Sequence, residues 1–320
     1  MDCISGWCRS KRRLLGSTAI VTGCNTGIGK ETAADLYARG ARVIMACRDT
    51  NKAEAAKTDI ENEIDKTEIR GVLVVEKLDV SSLKSVREFV SKMLETESQI
   101  HILINNAGVM MCPESKTEDG FETHIGTNHF GHALLTLLLL PRMIKSAPSR
   151  VVFVSSKLHQ SHKLDLDDLN FEKSEYNANV AYCRSKAANV LFAKALDMKL
   201  KEQNIKYVTT YSLHPGVIKT DISRHFDKTV ARGATWAFNN AGLFLKSPKC
   251  GAQTSIYCAV DEACSVESGL YYSDCEVKRP SKQCQDEEFA IKFWDKTIES
   301  LNLKNYNAFG DSDPPKDLLA

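Results

Sequence analysis

Ser17-Thr18-Ala19-Ile20-Val21-Thr22-Gly23-Cys24-Asn25-Thr26-Gly27-Ile28-Gly29, followed by Lys30-Glu31-Thr32-Ala33-Ala34-Asp35-Leu36, decides the fold. The first six residues read as a buried strand, and those after Gly29 as a helix. Strand, glycine turn and helix in that order make a glycine motif meaningful. Gly23 lets the chain turn tightly, Gly27 lets backbone approach a pyrophosphate, and Gly29 lets the helix pack close to the sheet. Asn25, Thr26 and Ile28 fill the same turn and belong to the same candidate site. The helix N-terminus then offers free N–H groups to phosphates.

The alternation continues downstream. Ala41 to Cys47 reads as a second strand, ending at Arg48. An acidic residue there would bond the ribose hydroxyls of NAD. No carboxylate occupies position 47, and a guanidinium suits a 2′-phosphate, so NADP(H) is the expected cofactor, with Lys52 a second cation. Arg48 stacking on adenine without discriminating is the alternative, and Asp49 stands beside it. Lys52 to Lys66 reads as a helix, Gly71 to Lys77 as a strand. Asp79 and Val80 follow, with Asp79 facing the adenine amino group. Ser81 is expected to cap a helix running to about Glu97. Ile100 to Ile104 is a strand closed by Asn105-Asn106-Ala107-Gly108, whose small residues let backbone run beside a nucleotide. Such repeated units predict an α/β protein: a single doubly wound parallel sheet of Rossmann type with helices on both faces.

In the second half, Asp119 to Ile144 reads as one long helix carrying Asn128. Arg150 to Val154 is a strand exposing Ser155 and Ser156 at its end. Tyr182 and Lys186 lie four apart on a helical pattern and so share a face. An ammonium beside a phenol is expected to lower its pKa from the usual value near ~10. Tyr182 is then placed to exchange a proton with a substrate oxygen while a hydride moves at the adjacent carbon. Lys206 to Leu213 reads as a strand. Residues 226–245, with Trp236, Phe238, Leu243 and Phe244, suit an apolar lid, an amphipathic helix packed on the core, or a membrane contact. A helix over 251–260, a strand over 269–272 and a helix over 289–301 complete the reading.

Thr22-Gly23-x-x-x-Gly27-x-Gly29, Asn105-Asn106-Ala107-Gly108, Asn128, Ser156, Tyr182-x-x-x-Lys186 and Pro215-Gly216 stand together in order. In these motifs the chain resembles the short-chain dehydrogenase/reductase family, from about residue 15 to 274. The resemblance implies Tyr182 as general acid/base and Ser156 as the group polarising the substrate oxygen. It implies Lys186 as binder of the nicotinamide ribose and perturber of Tyr182, and Asn128 as holder of a water linking Lys186 to solvent. Pro215, Gly216, Val217 and Thr220 would cover the nicotinamide. Ala46-Cys47-Arg48-Asp49, Val109-Met110-Met111-Cys112, Asp119-Gly120-Phe121-Glu122-Thr123-His124 and His214-Pro215-Gly216-Val217 are similar to the microsomal retinol dehydrogenases. That likeness implies NADP(H), small hydrophobic substrates such as retinoids and lipid aldehydes, and an endoplasmic-reticulum location. Carbonyl reduction of steroids or quinones, and non-catalytic nucleotide sensing, are the rival readings.

Composition agrees with a globular enzyme. The chain has 320 residues, 43% hydrophobic and 26% charged, with a net charge of +1, so no global field points to nucleic acid. Its 11 cysteines form no Cys-x-x-Cys pair, which suggests neither zinc nor a disulfide framework and fits a reducing compartment. No apolar run reaches the ~18 residues of a membrane span, and the chain opens without the apolar anchor usual in such relatives. Cytoplasm or the cytosolic face of the endoplasmic reticulum is expected. Peripheral membrane contact and a homodimer stay open. Arg9, Lys11, Arg12 and Arg13 read as a solvated tail or a membrane contact with Cys3 or Cys8 as acylation sites. The expected organisation is a basic tail over 1–14, one NADP-binding domain over 15–302, and a loose tail over 303–320.

Overall fold

The computed structural model describes residues 5–64, 69–218, 226–229 and 245–319. Among them, eight strands form one sheet in the order β3-β2-β1-β4-β5-β6-β7-β8. The strands are β1 Thr18–Thr22, β2 Arg42–Cys47, β3 Val72–Lys77, β4 Ile102–Asn105, β5 Ser149–Val154, β6 Val208–His214, β7 Leu270–Ser273 and β8 Glu276–Lys278. Neighbours pair in parallel from β3 to β7, and β8 closes the edge antiparallel to β7. This is the doubly wound α/β sheet the alternation predicts. The strand order reverses at β1, whose neighbours are β2 and β4, so a crevice opens at their C-terminal ends.

β1 and β5 are buried along their whole length, which is why they read as continuous apolar runs and not as alternating ones. Gly27–Ala38 and Pro248–Val260 cover one face and share a core with β1 and β2. Gly131–Lys145, Ala178–Glu202 and Glu287–Ser300 cover the other. The Ala133–Leu140 run is apolar because that helix is buried on all sides. Among the described residues no helix is long and apolar enough to cross a membrane.

The long helix expected over 119–144 is interrupted. A short turn, Thr123–Ile125, passes into a π-helical stretch, Gly126–Phe130, before the α-helix starts at Gly131. The Gly131 N–H reaches back five residues to the Gly126 carbonyl. This widened turn holds Asn128, as π-bulges often do at functional positions. The cap of Leu83–Thr96 is Ser82 rather than Ser81: its side chain accepts from the Ser85 N–H at 3.1 Å. Ser81 instead donates to Asp79.

Both termini expected to be loose are packed. Pro141 has no N–H for the Leu137 carbonyl, and the Tyr306 hydroxyl donates to that carbonyl at 3.4 Å. Leu303 and Ala308 are buried. Arg142 pairs with Asp313 at 2.6 Å, and Arg87 donates to the Leu318 carbonyl at 3.0 Å. At the other end, Arg39 donates to the Ser10 and Arg12 carbonyls at 2.9 and 3.0 Å, and Cys8 N–H to Gln253 at 3.2 Å. The basic segment is therefore backbone-anchored, and burial pushes the Cys8 thiol up to about 11. The polar stretch after Ser156 is ordered as well, with Asp168 accepting from the N–H groups of Glu172, Lys173 and Ser174. Residues 230–244 of the expected lid lie outside the described residues.

Gly131 lies against the loop after β3, where an added Cβ would sit 1.9 Å from the Val80 carbonyl oxygen. Gly131→Ala is expected to destabilise the protein by about 1–3 kcal/mol through overpacking. A drop in the urea midpoint at unchanged slope checks this.

Candidate active site

The glycine turn is held to the end of β4. Gly23 has φ +63, and a Cβ on it would lie 2.9 Å from Ala107. A Cβ on Gly29 would lie 2.5 Å from Asn106 Nδ2 and from the Gly23 carbonyl. Asn106 donates from that Nδ2 to the carbonyls of Thr22 at 2.8 Å and Gly23 at 3.2 Å. Its side chain therefore pins the turn. Gly27 starts the helix, and Thr26 at its N-cap makes no side-chain bond to it. The first turn carries no acid, so its N–H groups stay available to an anion. Asn25 lies in the turn, and Ile28 packs toward Gly251.

Arg48, directly after β2, has a side chain 67% exposed, with Asp79 3.8 Å away. Asp49 is occupied as the cap of Thr50–Glu63, accepting from Lys52 N–H at 3.1 Å. One Asp79 oxygen is taken by the Ser81 hydroxyl at 2.6 Å and its N–H at 3.0 Å. Val80 is buried. Lys52 reaches only Asp49, at 3.9 Å.

Across the crevice, Ser156 follows β5, and its hydroxyl accepts from Leu158 N–H at 3.2 Å and bonds the Tyr182 phenol. Tyr182 and Lys186 are buried on Ala178–Glu202, with the ammonium 5.9 Å from the ring centroid. Lys186 donates to the Val154 carbonyl at 2.9 Å. Asn128 Nδ2 donates to the Val109 carbonyl at 3.0 Å and to Ser185 Oγ at 2.9 Å, while its Oδ1 accepts from Val109 N–H at 2.8 Å. Gly108 fits between them: a Cβ there would lie 3.1 Å from Asn128 Oδ1 and 3.5 Å from Lys186 Nζ. Pro215 is buried after β6, Gly216 has φ +104, and Val217 is exposed. Thr220 lies outside the described residues.

The charges differ from expectation. Burial raises the Tyr182 phenol to about 12, the Ser156 hydrogen bond offsetting part of the rise. The ammonium does not lower the phenol here. It is turned to the Val154 carbonyl, and burial lowers Lys186 itself to about 8. At neutral pH the phenol keeps its proton.

The model of the short chain dehydrogenase family matches residues 17–231. This chain belongs to the short-chain dehydrogenase family. It is 47% identical to human retinol dehydrogenase 11 over 299 residues, covering 93% of this chain and 90% of that one. It is 45% identical to human retinol dehydrogenase 13 over 303 residues, covering 93% and 88%. Within this family of oxidoreductases the sequence groups with the retinol dehydrogenases. A solved structure from Mycobacterium paratuberculosis, titled as a putative uncharacterized protein, superposes with a TM-score of 0.70 at 31% identity, covering 92% and 97%.

Around the family's motif residues lies a supporting network that sequence reasoning did not assign. His132 Nδ1 faces the Asn128 carbonyl at 3.1 Å, so that nitrogen carries the proton. Nε2 then accepts from the Thr22 hydroxyl at 3.0 Å, whose oxygen takes the N–H groups of Asn106 and Ala107, each at 2.9 Å. The dinucleotide turn and the Asn128 turn are thereby joined through two side chains. A second clamp holds the loop after β4. His124 Nε2 accepts from Cys112 N–H at 3.1 Å and Nδ1 donates to Glu122 at 2.7 Å. The Tyr176 hydroxyl donates to the Cys112 carbonyl at 2.8 Å. The His124 ring meets Tyr182 edge-on, centroids 6.2 Å apart. The available signal was spacing: His132 lies one helical turn after Asn128.

Burial lowers His129 to about 3, and His132 and His214 to about 4, from an ordinary 6.5. Above pH 6.5 both folded and unfolded chains hold these rings neutral, so they add no pH dependence. Between 6.5 and about 4 the unfolded chain takes up protons that the folded one refuses, so stability falls as pH falls. Each ring contributes up to about 1.4 kcal/mol per pH unit. Urea unfolding at pH 7 and pH 5 should show this loss, and His132→Gln should reduce it.

Proposed function

We propose that this chain is an NADP(H)-dependent oxidoreductase interconverting a hydrophobic alcohol and its aldehyde or ketone, with retinol/retinal or lipid aldehydes as the substrate class. The same reading places it in the cytosol or on the cytosolic face of the endoplasmic reticulum. The observation that carries the activity is the convergence of Ser156, Tyr182, Lys186 and Asn128 beside a glycine turn built for a dinucleotide. The named relatives, retinol dehydrogenases over nearly the whole chain, support the substrate class.

The residues fit the cofactor. Gly23, Asn25, Thr26, Gly27, Ile28 and Gly29 provide backbone and an uncapped helix start for the pyrophosphate. Arg48 is an exposed guanidinium where a 2′-phosphate would lie, and Asp49, the acid next to it in the chain, is spent on its helix cap. Asp79 and Val80 would border the adenine, Asn106, Ala107 and Gly108 the central ribose and phosphates. Pro215, Gly216, Val217 and Thr220 would border the nicotinamide. When bound, NADP(H) supplies or accepts the hydride.

The chain's own groups handle the proton. The Tyr182 phenol, protonated at neutral pH, donates to the developing alkoxide during reduction and its phenolate accepts during oxidation. Ser156 bonds both the phenol and the substrate oxygen, aligning the two. Lys186 holds the nicotinamide ribose with its ammonium anchored on the Val154 carbonyl. Asn128, fixed by Val109 and Ser185, orders a water behind Lys186.

Tyr182→Phe is expected to reduce turnover of retinal with NADPH by about 10²–10⁴-fold while leaving NADPH affinity within a few-fold. Steady-state rates and dinucleotide fluorescence titration check the pair, and near-normal turnover would refute the assignment. Arg48→Ala should weaken NADPH by about 10–100-fold, the worth of one charged hydrogen bond, and NADH far less. Equal weakening of both cofactors would overturn the NADP(H) preference.

A further inference from the structure

Two thiols that the proposed chemistry does not use meet at the glycine turn. Cys24 follows Gly23 in the turn and Cys47 ends β2, and their sulfurs lie 3.7 Å apart. Both are buried, at 0% and 2% exposure. The backbone holds them in register, because Gly23 N–H bonds the Ala46 carbonyl at 2.9 Å. Their surroundings are unequal. The Cys24 thiol donates to the Val21 carbonyl at 3.1 Å. Cys47 sulfur faces the Cys24 sulfur, either thiol being able to donate, and the N–H groups of Gly23, Cys24 and Asn25.

We propose that Cys24 and Cys47 are a reversible oxidation site, forming a disulfide under peroxide that distorts the glycine turn and weakens dinucleotide binding. The unequal surroundings assign the roles. The thiol and N–H groups around Cys47 lower its pKa, whereas burial holds Cys24 well above the ordinary thiol value. Cys47 is therefore the thiolate that attacks. Its sulfur bonds one peroxide oxygen and the O–O bond breaks, giving a sulfenic acid and, with the thiol proton, one water. Cys24 sulfur then attacks the sulfenic sulfur, the S–O bond breaks, and the hydroxide leaves with the Cys24 proton as a second water. Two thiols and one peroxide become one disulfide and two waters.

The link between oxidation and binding is geometric. A disulfide is about 2.05 Å long, so the sulfurs must close by well over an ångström from 3.7 Å. Cys24 is flanked by Gly23 and Asn25, so that shift moves the backbone proposed to meet the pyrophosphate. Anything that holds the turn in its open form, a bound dinucleotide included, must disfavour the cross-link at equilibrium by linkage. This last part rests on the NADP(H) reading, whereas the cross-link itself does not.

The test treats the full chain with hydrogen peroxide, blocks remaining thiols by alkylation, and maps the peptides by mass, with NADPH affinity measured in parallel. Expected are a Cys24–Cys47 cross-link, at least a tenfold loss of NADPH affinity, reversal of both by dithiothreitol, and a smaller cross-linked fraction at a fixed ratio of oxidised to reduced dithiothreitol when NADPH is present. Cys47→Ala should bind NADPH as the parent does and keep that affinity after peroxide. Cys24 and Cys47 remaining alkylatable would overturn the proposal. So would a cross-link between Cys258 and Cys264, another pair of thiols in contact, appearing in its place, or an equal loss of binding in Cys47→Ala. A cross-link in a chain that never binds NADPH would support the thiol pair and sink the cofactor reading instead.

Discussion

A positive charge kept inside the protein, on Lys186, sets the terms for everything around it. Desolvating an ammonium costs several kcal/mol, and here burial alone lowers its pKa to about 8. The charge is retained because the end of β5 meets it: the Val154 carbonyl accepts from it at 2.9 Å. Ser155 fixes the same helical turn from outside, donating to the Lys186 carbonyl at 2.7 Å. Ser185, one residue before, ties that turn to Asn128 at 2.9 Å. Strand end, serine pair and widened turn thus work as one support for a group the fold would otherwise exclude.

From that charge the organisation runs outward in both directions. Gly108 leaves space beside the amine and Asn128, so the backbone after β4 passes close to both. Thr22, at the end of β1, accepts from the N–H groups of Asn106 and Ala107 and donates its hydroxyl hydrogen bond to His132, which in turn donates to the Asn128 carbonyl. Such a buried network is stable only when every member is satisfied, which makes Thr22 and His132 as constrained as the groups that meet substrate. The glycine turn on one half of the crevice and the Asn128 turn on the other share that network.

Much of this was legible in the residues. A strand running into Gly23, Gly27 and Gly29 and then a helix has few other meanings, and the β1 and β2 burial patterns bear it out. Tyr182, Lys186, Ser156 and Asn128 were likewise readable as one set. Three features were not. The π-helical turn at Asn128 has no signal of its own in the sequence, because Gly126 to Phe130 are buried just as the helix that follows is. The packed C-terminal segment depends on distant partners such as the Leu137 carbonyl left free by Pro141. The raised Tyr182 pKa reverses a local expectation, because spacing shows that an amine is near but not that it points to Val154.

The central claim is that the Tyr182 hydroxyl and the nicotinamide edge meet at one substrate oxygen. A crystal structure of the chain with NADP(H) and a bound retinoid tests it most directly. The account requires the hydroxyl within about 3 Å of the substrate oxygen, with the nicotinamide reacting carbon about 3–3.5 Å from the substrate carbon. A dinucleotide seated elsewhere, or a substrate whose oxygen is bound by groups other than Tyr182 and Ser156, would contradict it.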